Sequence, residues 1–421
     1  MPLDRIRQTG IAIESTPGVE ESLVAADYRG RRKNQNYTQD GTNYQRGVQR
    51  ATLSKQPTLR DREHVMFAWE EELIGGGAST EAPWHRALRI CGFAMTSLKQ
   101  IDVDYSGATN PEDFEVGATI QNAGVTKTAI FVGIFGSGAT RQLVYKPVSG
   151  GDFVSGETLS ETKHASGAID TSSVSTAAGY AFTPLSESIA GSTEVVPPSA
   201  TIIQRVHGKV IKGISGRATG RLILRQGEAP MLGINASALP VFGSGFSWAA
   251  GDPIVVTGNP AASALNRVSK VPFVIQPAGT QDKYTPSLSE MIIEFNNDVA
   301  FEETFTDEAI GESGATDVDI TDRNVSTRID PRYVLPQAGP PYKQDVLEAV
   351  ANGSLMELVL QIGDPTTSKG AIIVHGPAIQ YGGSVEPGNR DGKITVPLEC
   401  GFYGTDDGVD DEFALYAVHL S

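Results

Sequence analysis

Cysteine is nearly absent from this chain of 421 residues, and the two present, Cys91 and Cys400, stand far apart. Two such residues make no disulfide framework, and they read as small buried thiols. No Cys-x-x-Cys occurs, and none of the six histidines has a neighbour at zinc-helix spacing. Nucleophile elbow, phosphate loop and dinucleotide fingerprint are missing as well. Aromatic residues are only 7%, thin for a carbohydrate-binding cleft. No apolar run approaches the roughly 20 residues of a membrane helix, and no signal peptide is visible at the N-terminus. The expectation is therefore a protein made in the cytosol, without membrane insertion, cofactor or catalytic site. Residues 405–412, Thr-Asp-Asp-Gly-Val-Asp-Asp-Glu, cluster carboxylates but lack the ligand spacing of a calcium loop, so a solvated turn is expected. Nothing distinguishes a glycosidase pair among the many acids.

Positive charge is also scarce. The net charge is −16, which excludes a chain built to grip nucleic-acid phosphates by counterion release. Residues 286–323 hold acids from Glu290 to Asp322 and a single base, Arg323. The first sixty-odd residues are net basic, with Arg29, Arg31, Arg32, Lys33 and Arg46 among their cations. Ordinary solvated surface accounts for this asymmetry; so do complementary faces on successive subunits.

What is present is glycine, 46 residues, and proline, 24, between short apolar alternations. Short strands joined by many turns explain that composition better than helices do. The stretch from Arg62 to Phe93 organises the rest. His64, Met66, Ala68, Glu70 and Glu72 alternate with Val65, Phe67, Trp69, Glu71 and Leu73, the pattern of a half-buried strand. Gly75 to Gly77 break it, Thr80 is the expected cap of a helix with Pro83 in its first turn, and Gly92 ends it. Trp84, Leu88 and Cys91 fall on one face of that helix, which docks on a sheet.

In chain order, residues 3–15 read as a first strand on Ile6, Ile11 and Ile13. Residues 28–60 are polar and nearly free of apolar side chains, and read as a long functional loop. Residues 107–195, rich in Gly, Ala, Ser and Thr, read as an inserted surface β domain with a strand pair at 128–135 and 141–145. Strand signals resume at 200–214, followed by a hairpin through 218–226 and 231–236. Residues 237–284 read as a loop-rich linker. A second domain, 285–421, has strands near 291–295, 299–305, 318–322, 356–362, 371–379, 392–402 and 413–418, with a short helix at 342–351. Residues 221–236 parallel 378–402, as if one unit were used twice.

A family resemblance rests on these residues. Glu72-Leu73, the glycine joint, Ala82-Pro83-Trp84 and Leu88-Arg89-x-Cys91-Gly92-Phe93 resemble the major tail tube proteins of long-tailed, siphovirus-like bacteriophages. Ile13-Glu14-Ser15-Thr16-Pro17-Gly18 resembles that family's opening. Gly216 to Gly220 with Gly227-Glu228-Ala229-Pro230 resembles its central hairpin, and Gly388 to Ile394 its terminal hairpin. The likeness covers 1–100 and 198–235 well and 285–421 loosely, with nothing similar in 107–195. It implies a mainly β fold of two tandem tail-tube-type sandwich or barrel domains, 1–106 with 196–236 and 285–421, each with a short flanking helix. It implies a structural virion protein that polymerises into stacked rings around a lumen through which DNA passes without specific binding. A chain with two such domains would make a trimeric, pseudo-sixfold ring; a chain with one would make a hexamer. Tape-measure, tail terminator and baseplate proteins are the implied partners, and the virion tail, assembled in the bacterial host cytoplasm, the implied location. The resemblance places the inter-ring contact in the 28–60 segment, at Arg29, Arg31, Arg32, Lys33, Tyr37 and Arg46. Glu70, Glu72, Glu294 and Glu302 are the candidate lumen residues.

Two other classes stay open. A tail fibre, decoration or receptor-binding module would more often show short repeated motifs and coiled-coil heptads, which this chain lacks. A hydrolase of a cell-wall polymer would depend on single carboxylates.

Overall fold

The computed structural model describes residues 7–44, 59–104, 114–137, 140–162, 168–190, 193–206, 208–242, 249–251, 268, 273–277, 288–303, 315–329, 353, 355–367, 369–382, 388–390, 392–395, 397–405 and 410–420. The expectations for Ile6, Arg46 and the helix at 342–351 lie outside them. The protein is mainly β, with one α-helix among the described residues and a large antiparallel sheet.

The first part of the chain gives β1 (Arg7–Ile13), β2 (Arg32–Tyr44), β3 (Leu59–Glu72), α1 (Pro83–Arg89) and β4 (Phe93–Asp104). Small strands follow: β5 (Thr119–Asn122), β6 (Thr128–Phe135), β7 (Thr140–Ser149), β8 (Thr158–Glu161) and β9 (Ala168–Thr171). Then come β10 (Thr176–Pro184), β11 (Ser188–Ala190), β12 (Thr193–Val195), β13 (Ala200–Val206), β14 (Lys209–Arg225) and β15 (Met231–Pro240). The remainder gives β16 (Ala249–Ala250), β17 (Phe273–Pro277), β18 (Glu290–Glu303), β19 (Ala315–Ile329), β20 (Leu355–Asp364) and β21 (Gly370–Gly382). Last are β22 (Gly388–Arg390), β23 (Lys393–Thr395), β24 (Leu398–Tyr403) and β25 (Ala414–Val418).

Strand β3 buries the side it was expected to bury: Val65, Phe67, Trp69, Glu71 and Leu73 are at most 2% exposed. Its glycine joint leads into α1, which starts two residues later than expected. Ala82, not Thr80, is the N-cap residue, and the ring Nδ1 of His85 accepts the Ala82 N–H at 3.3 Å. Pro83 opens the helix, where a missing N–H costs nothing, and Gly92 follows it at φ +82°. Trp84, Leu88 and Cys91 are buried together, and Trp84 Nε1 donates to the Ile74 carbonyl at 2.8 Å. Gly220 in β14 lets the helix approach, since a Cβ there would sit 3.0 Å from Cys91 Sγ.

Two expected loops are strands. The polar segment 28–60 contains β2, thirteen residues paired with β3 from Arg32 opposite Glu71 to Tyr44 opposite Leu59. It carries no apolar stripe because one edge and one face of it are left outside the core; Asn34, Asn36, Thr38 and Asp40 are exposed while Gln35, Tyr37 and Gln39 are half-buried. Within the expected linker, Phe273–Pro277 is β17, paired with β20. The short strands expected at 291–295 and 299–305 are one strand, β18, hairpinned with β19 from Met291 opposite Ile329 to Glu303 opposite Ala315.

The 107–195 segment has its own core: Phe114, Ile120, Phe131, Leu143, Tyr145, Phe153, Leu159 and Ile169, closed by Ile101 and Val103 of β4. It is bound to the rest by more than its two ends. Strand β10 pairs with both β4 and β25, and Val132 and Val144 share a cluster with Leu98, Ile373 and Tyr416.

A larger cluster runs through both halves of the chain, from Ile11, Phe67 and Trp84 to Phe295, Phe402 and Phe413. The pairings of the first half recur in the second in the same chain order. β1 with β13 is matched by β17 with β20, β2 with β3 by β18 with β19, and β3 with β15 by β19 with β24. β13 with β14 is matched by β20 with β21, β14 with β15 by β21 with β24, and β14 with β16 by β21 with β25. Even a register shift recurs, at Ala200/Ile202 in one half and Met356/Leu358 in the other. The halves join where β14 pairs with β18, from Gly220 opposite Phe295 to Arg225 opposite Glu290.

Candidate assembly surface

The joint makes one sheet of β2, β3, β15, β14, β18, β19, β24 and β21, with a buried face and an open face. Because directly opposed residues share a face, the registers define rows that run across it. One row is Lys33, Glu70, Gly233, Arg221, Glu294, Ser326, Gly401 and Gln380. Glu70 accepts from Asn34 Nδ2 at 3.0 Å, and lies 3.7 Å from Lys33 Nζ and 4.0 Å from Arg221 Nη2. Gly233 makes that reach possible: a Cβ there would stand 3.1 Å from Arg221 Cγ. Beside this row, Arg31 meets Glu72 at 3.4 Å and Arg225 meets Glu290 at 2.7 Å.

The open face is therefore mixed in charge, with Met231, Ile223 and Ile292 in the adjacent row between Glu72 and Arg328. Glu70, Glu72 and Glu294, the expected lumen residues, share this face with the cations Lys33, Arg221 and Arg225. Glu294 is exposed opposite Arg221, while Glu302 is exposed near the far end of β18, opposite Asp317. Burial raises the Asp317 carboxyl above its ordinary range, against the pull of nearby Arg217. Arg217, 1% exposed, ion-pairs with Asp317 at 3.5 Å and with Asp319, tying β14 to β19.

Much of the basic tract lies along β3 of its own chain. Arg32 turns to the buried side, where its Nε meets Glu71 at 2.9 Å with the side chains 3% and 1% exposed, and it also donates to the Thr9 carbonyl. Tyr37 packs half-buried against the main cluster, opposite Phe67. Arg31, Arg32 and Lys33 thus meet Glu72, Glu71 and Glu70 of their own chain, and only Arg29 of the described basic residues named above stands exposed outside β2 without belonging to this ladder. A signal for this was in the sequence. Three consecutive bases and three consecutive acids, with Glu71 inside an apolar alternation, are what an antiparallel pair in reversed order requires.

The carboxylates after Thr405 are not simply solvated. Asp410 and Glu412 hold Arg323 at 3.1 and 2.8 Å, and Asp410 also accepts from Ser186. Among the described residues no group of three His, Cys, Asp or Glu is placed to hold a metal ion. The thiols of Cys91 and Cys400 are buried, and burial pushes both well above the ordinary thiol range, which disfavours the nucleophilic thiolate. His375 and Glu357 form a buried pair at 2.9 Å inside the β20–β21 hairpin, filling space against Gly117. Among the described residues, no helix is long and apolar enough to cross a membrane.

The sheet has two distinguishable ends. At one end, β2 meets β1 through Gln35, whose carbonyl accepts from Arg7, and through Arg32, which donates to the Thr9 carbonyl. No described strand lies along β2 on the side away from β3. At the other end, β20 stops opposite Gln380, and Gly382 beyond it is opposed only by Glu399 of β24 among the described strands. No protein-family model matches the chain, and no curated protein matches it.

Proposed function

We propose that the chain is a structural subunit that polymerises head to tail into a closed, hollow ring, with rings stacked into a tube. The supporting observation is the duplicated pairing order joined edge to edge through β14 and β18. A unit that joins its own copy within the chain, and leaves an edge at each end, joins further copies by the same contact. A repeated heterologous contact closes into a ring when its rotation divides a full turn. The closed sheet then has no edges and encloses a lumen lined by its open face. With two tandem units per chain, three chains give six units around the ring.

The tail tube of a long-tailed phage is the assembly this reading fits, in keeping with the resemblance of the Glu72–Phe93 and Gly216–Pro230 stretches. Delivered DNA would pass a wall on which Lys33, Arg221 and Arg225 each lie within 4.0 Å of a neighbouring acid, which leaves those cations less able to replace phosphate counterions. Tape-measure, terminator and baseplate proteins would be the partners inside and at the ends, and the virion tail the location.

Negative-stain electron microscopy of the purified chain, dilute and concentrated, tests this. Hollow rings or tubes with three- or pseudo-sixfold class averages are the expected outcome. A particle that remains a compact monomer at every concentration overturns the reading.

A further inference from the structure

Within the 107–195 segment, an amine, a carboxamide and a carboxylate meet at one oxygen atom. Asn122 ends β5 and Lys127 precedes β6, and the Asn122 N–H donates to the Lys127 carbonyl at 3.3 Å. The two are cross-strand neighbours, with their side chains on one face. The turn between them holds Val125, a β-branched residue, at φ +51°. It brings the Thr126 and Lys127 N–H groups onto Asn122 Oδ1, at 2.9 and 3.1 Å. Two donors on one carbonyl oxygen polarise the carboxamide, and they suit the oxyanion that forms when its carbon is attacked.

Glu157, just before β8, completes the group. Its Oε1 lies 2.9 Å from Lys127 Nζ and accepts from Asn122 Nδ2 at 3.2 Å, while the Val154 N–H holds Oε2 at 2.8 Å. One carboxylate oxygen thus touches both an amine and the amide nitrogen that the amine would displace. The Lys127 and Glu157 side chains are each 18% exposed, and Gly150 lies so close over the Thr126 carbonyl that a Cβ there has no room. Lys33 and Asn34 also share a carboxylate, that of Glu70, but Lys33 is 57% exposed and 3.7 Å away, so water competes.

We propose that Lys127 and Asn122 join in an intramolecular isopeptide bond, with Glu157 as the proton carrier. Glu157 takes a proton from the Lys127 ammonium, and the freed Nζ attacks Asn122 Cγ. As the Nζ–Cγ bond forms, the Thr126 and Lys127 N–H groups hold the charge on Oδ1. Glu157 passes its proton to Nδ2, the Cγ–Nδ2 bond breaks, and ammonia leaves. A second Nζ proton departs with it, as ammonium, and Glu157 is again a carboxylate. No reactant from outside the chain is consumed, and holding the amine beside its target replaces an encounter in solution. The product is a covalent ring across the β5–β6 hairpin. The bond lies within one chain and does not depend on the ring reading.

Tryptic mapping of the full-length protein by mass spectrometry reads the bond directly. Trypsin does not cut at an acylated lysine, so residues 100–141 should appear as one peptide, lighter by one ammonia than its sequence. Lys33 should be cut normally. Glu157→Gln keeps the side chain's size but cannot carry the proton, and should give separate peptides 100–127 and 128–141 at full mass. Parent protein cut at Lys127 at full mass would leave an ion pair only and overturn the proposal. Ammonia lost with Lys127 still cut would mean a succinimide at Asn122, and would overturn it as well. Blockage in Glu157→Gln as complete as in the parent would overturn the role given to Glu157.

Discussion

Replacing Arg32 with alanine separates an intrachain role for the basic tract from an intersubunit one. Arg32 lies 3% exposed beside Glu71, 1% exposed, at 2.9 Å. Glu71 sits among Val65, Phe67, Trp69 and Leu73 on the buried side of β3. Removing the guanidinium leaves a carboxylate without its counter-charge in an apolar setting, and breaking one partner of a buried pair costs about 3–5 kcal/mol. With a guanidinium dependence of about 5 kcal/mol/M, the unfolding midpoint should fall by about 0.6–1 M. Guanidinium titration followed by tryptophan fluorescence reads this in dilute, unassembled protein, and Trp69 lies two residues from Glu71. The double variant Arg32→Met, Glu71→Met removes both charges and should recover to within about 1–2 kcal/mol of the parent. If Arg32→Ala unfolds at the parent midpoint in dilute protein but fails to assemble, the pairing described here is wrong and Arg32 works between subunits.

Two further perturbations read the helix. Burial first, and Arg89 second, hold His85 down to about 3 from its ordinary 6.5. The folded state therefore resists the proton that the unfolded chain accepts below pH 6.5. Its stability from this group is full above that pH and is lost progressively toward pH 3, by at most about 1.4 kcal/mol per pH unit. Denaturation midpoints measured from pH 7 to pH 4 should show that slope in the parent and lose it in His85→Leu; equal slopes would refute the assignment. Gly92→Ala places a Cβ at φ +82° and 3.1 Å from Ile320 Cδ1, and should lower stability by about 1–2 kcal/mol in the same titration. No loss there would mean that the chain after α1 adopts another turn.

The sequence by itself determined the elements whose pattern is local. The β3 alternation names its buried residues because side chains in a strand change face at every step. Pro83 and Gly92 bracket α1 because each suits only one end of a helix. Turn glycines marked the β6–β7 hairpin of the insertion. The likeness of residues 221–236 to 378–402 pointed to the pairing order that β14–β15 and β21–β24 share.

Other features were settled only by tertiary contacts. β2 has no apolar period to announce it, since its identity as a strand comes from hydrogen bonds to β3 and from ion pairs in reversed order. The mixed charge of the open face arises from register: Glu70 and Arg221 are 151 positions apart in sequence, yet Gly233 lets them meet across one strand. The 107–195 segment reads as an inserted surface domain because composition is blind to partners, and β10 found two of them, in β4 and β25. Local chemistry fixes which way a side chain faces; which strand lies beside it is decided by what the rest of the chain brings there.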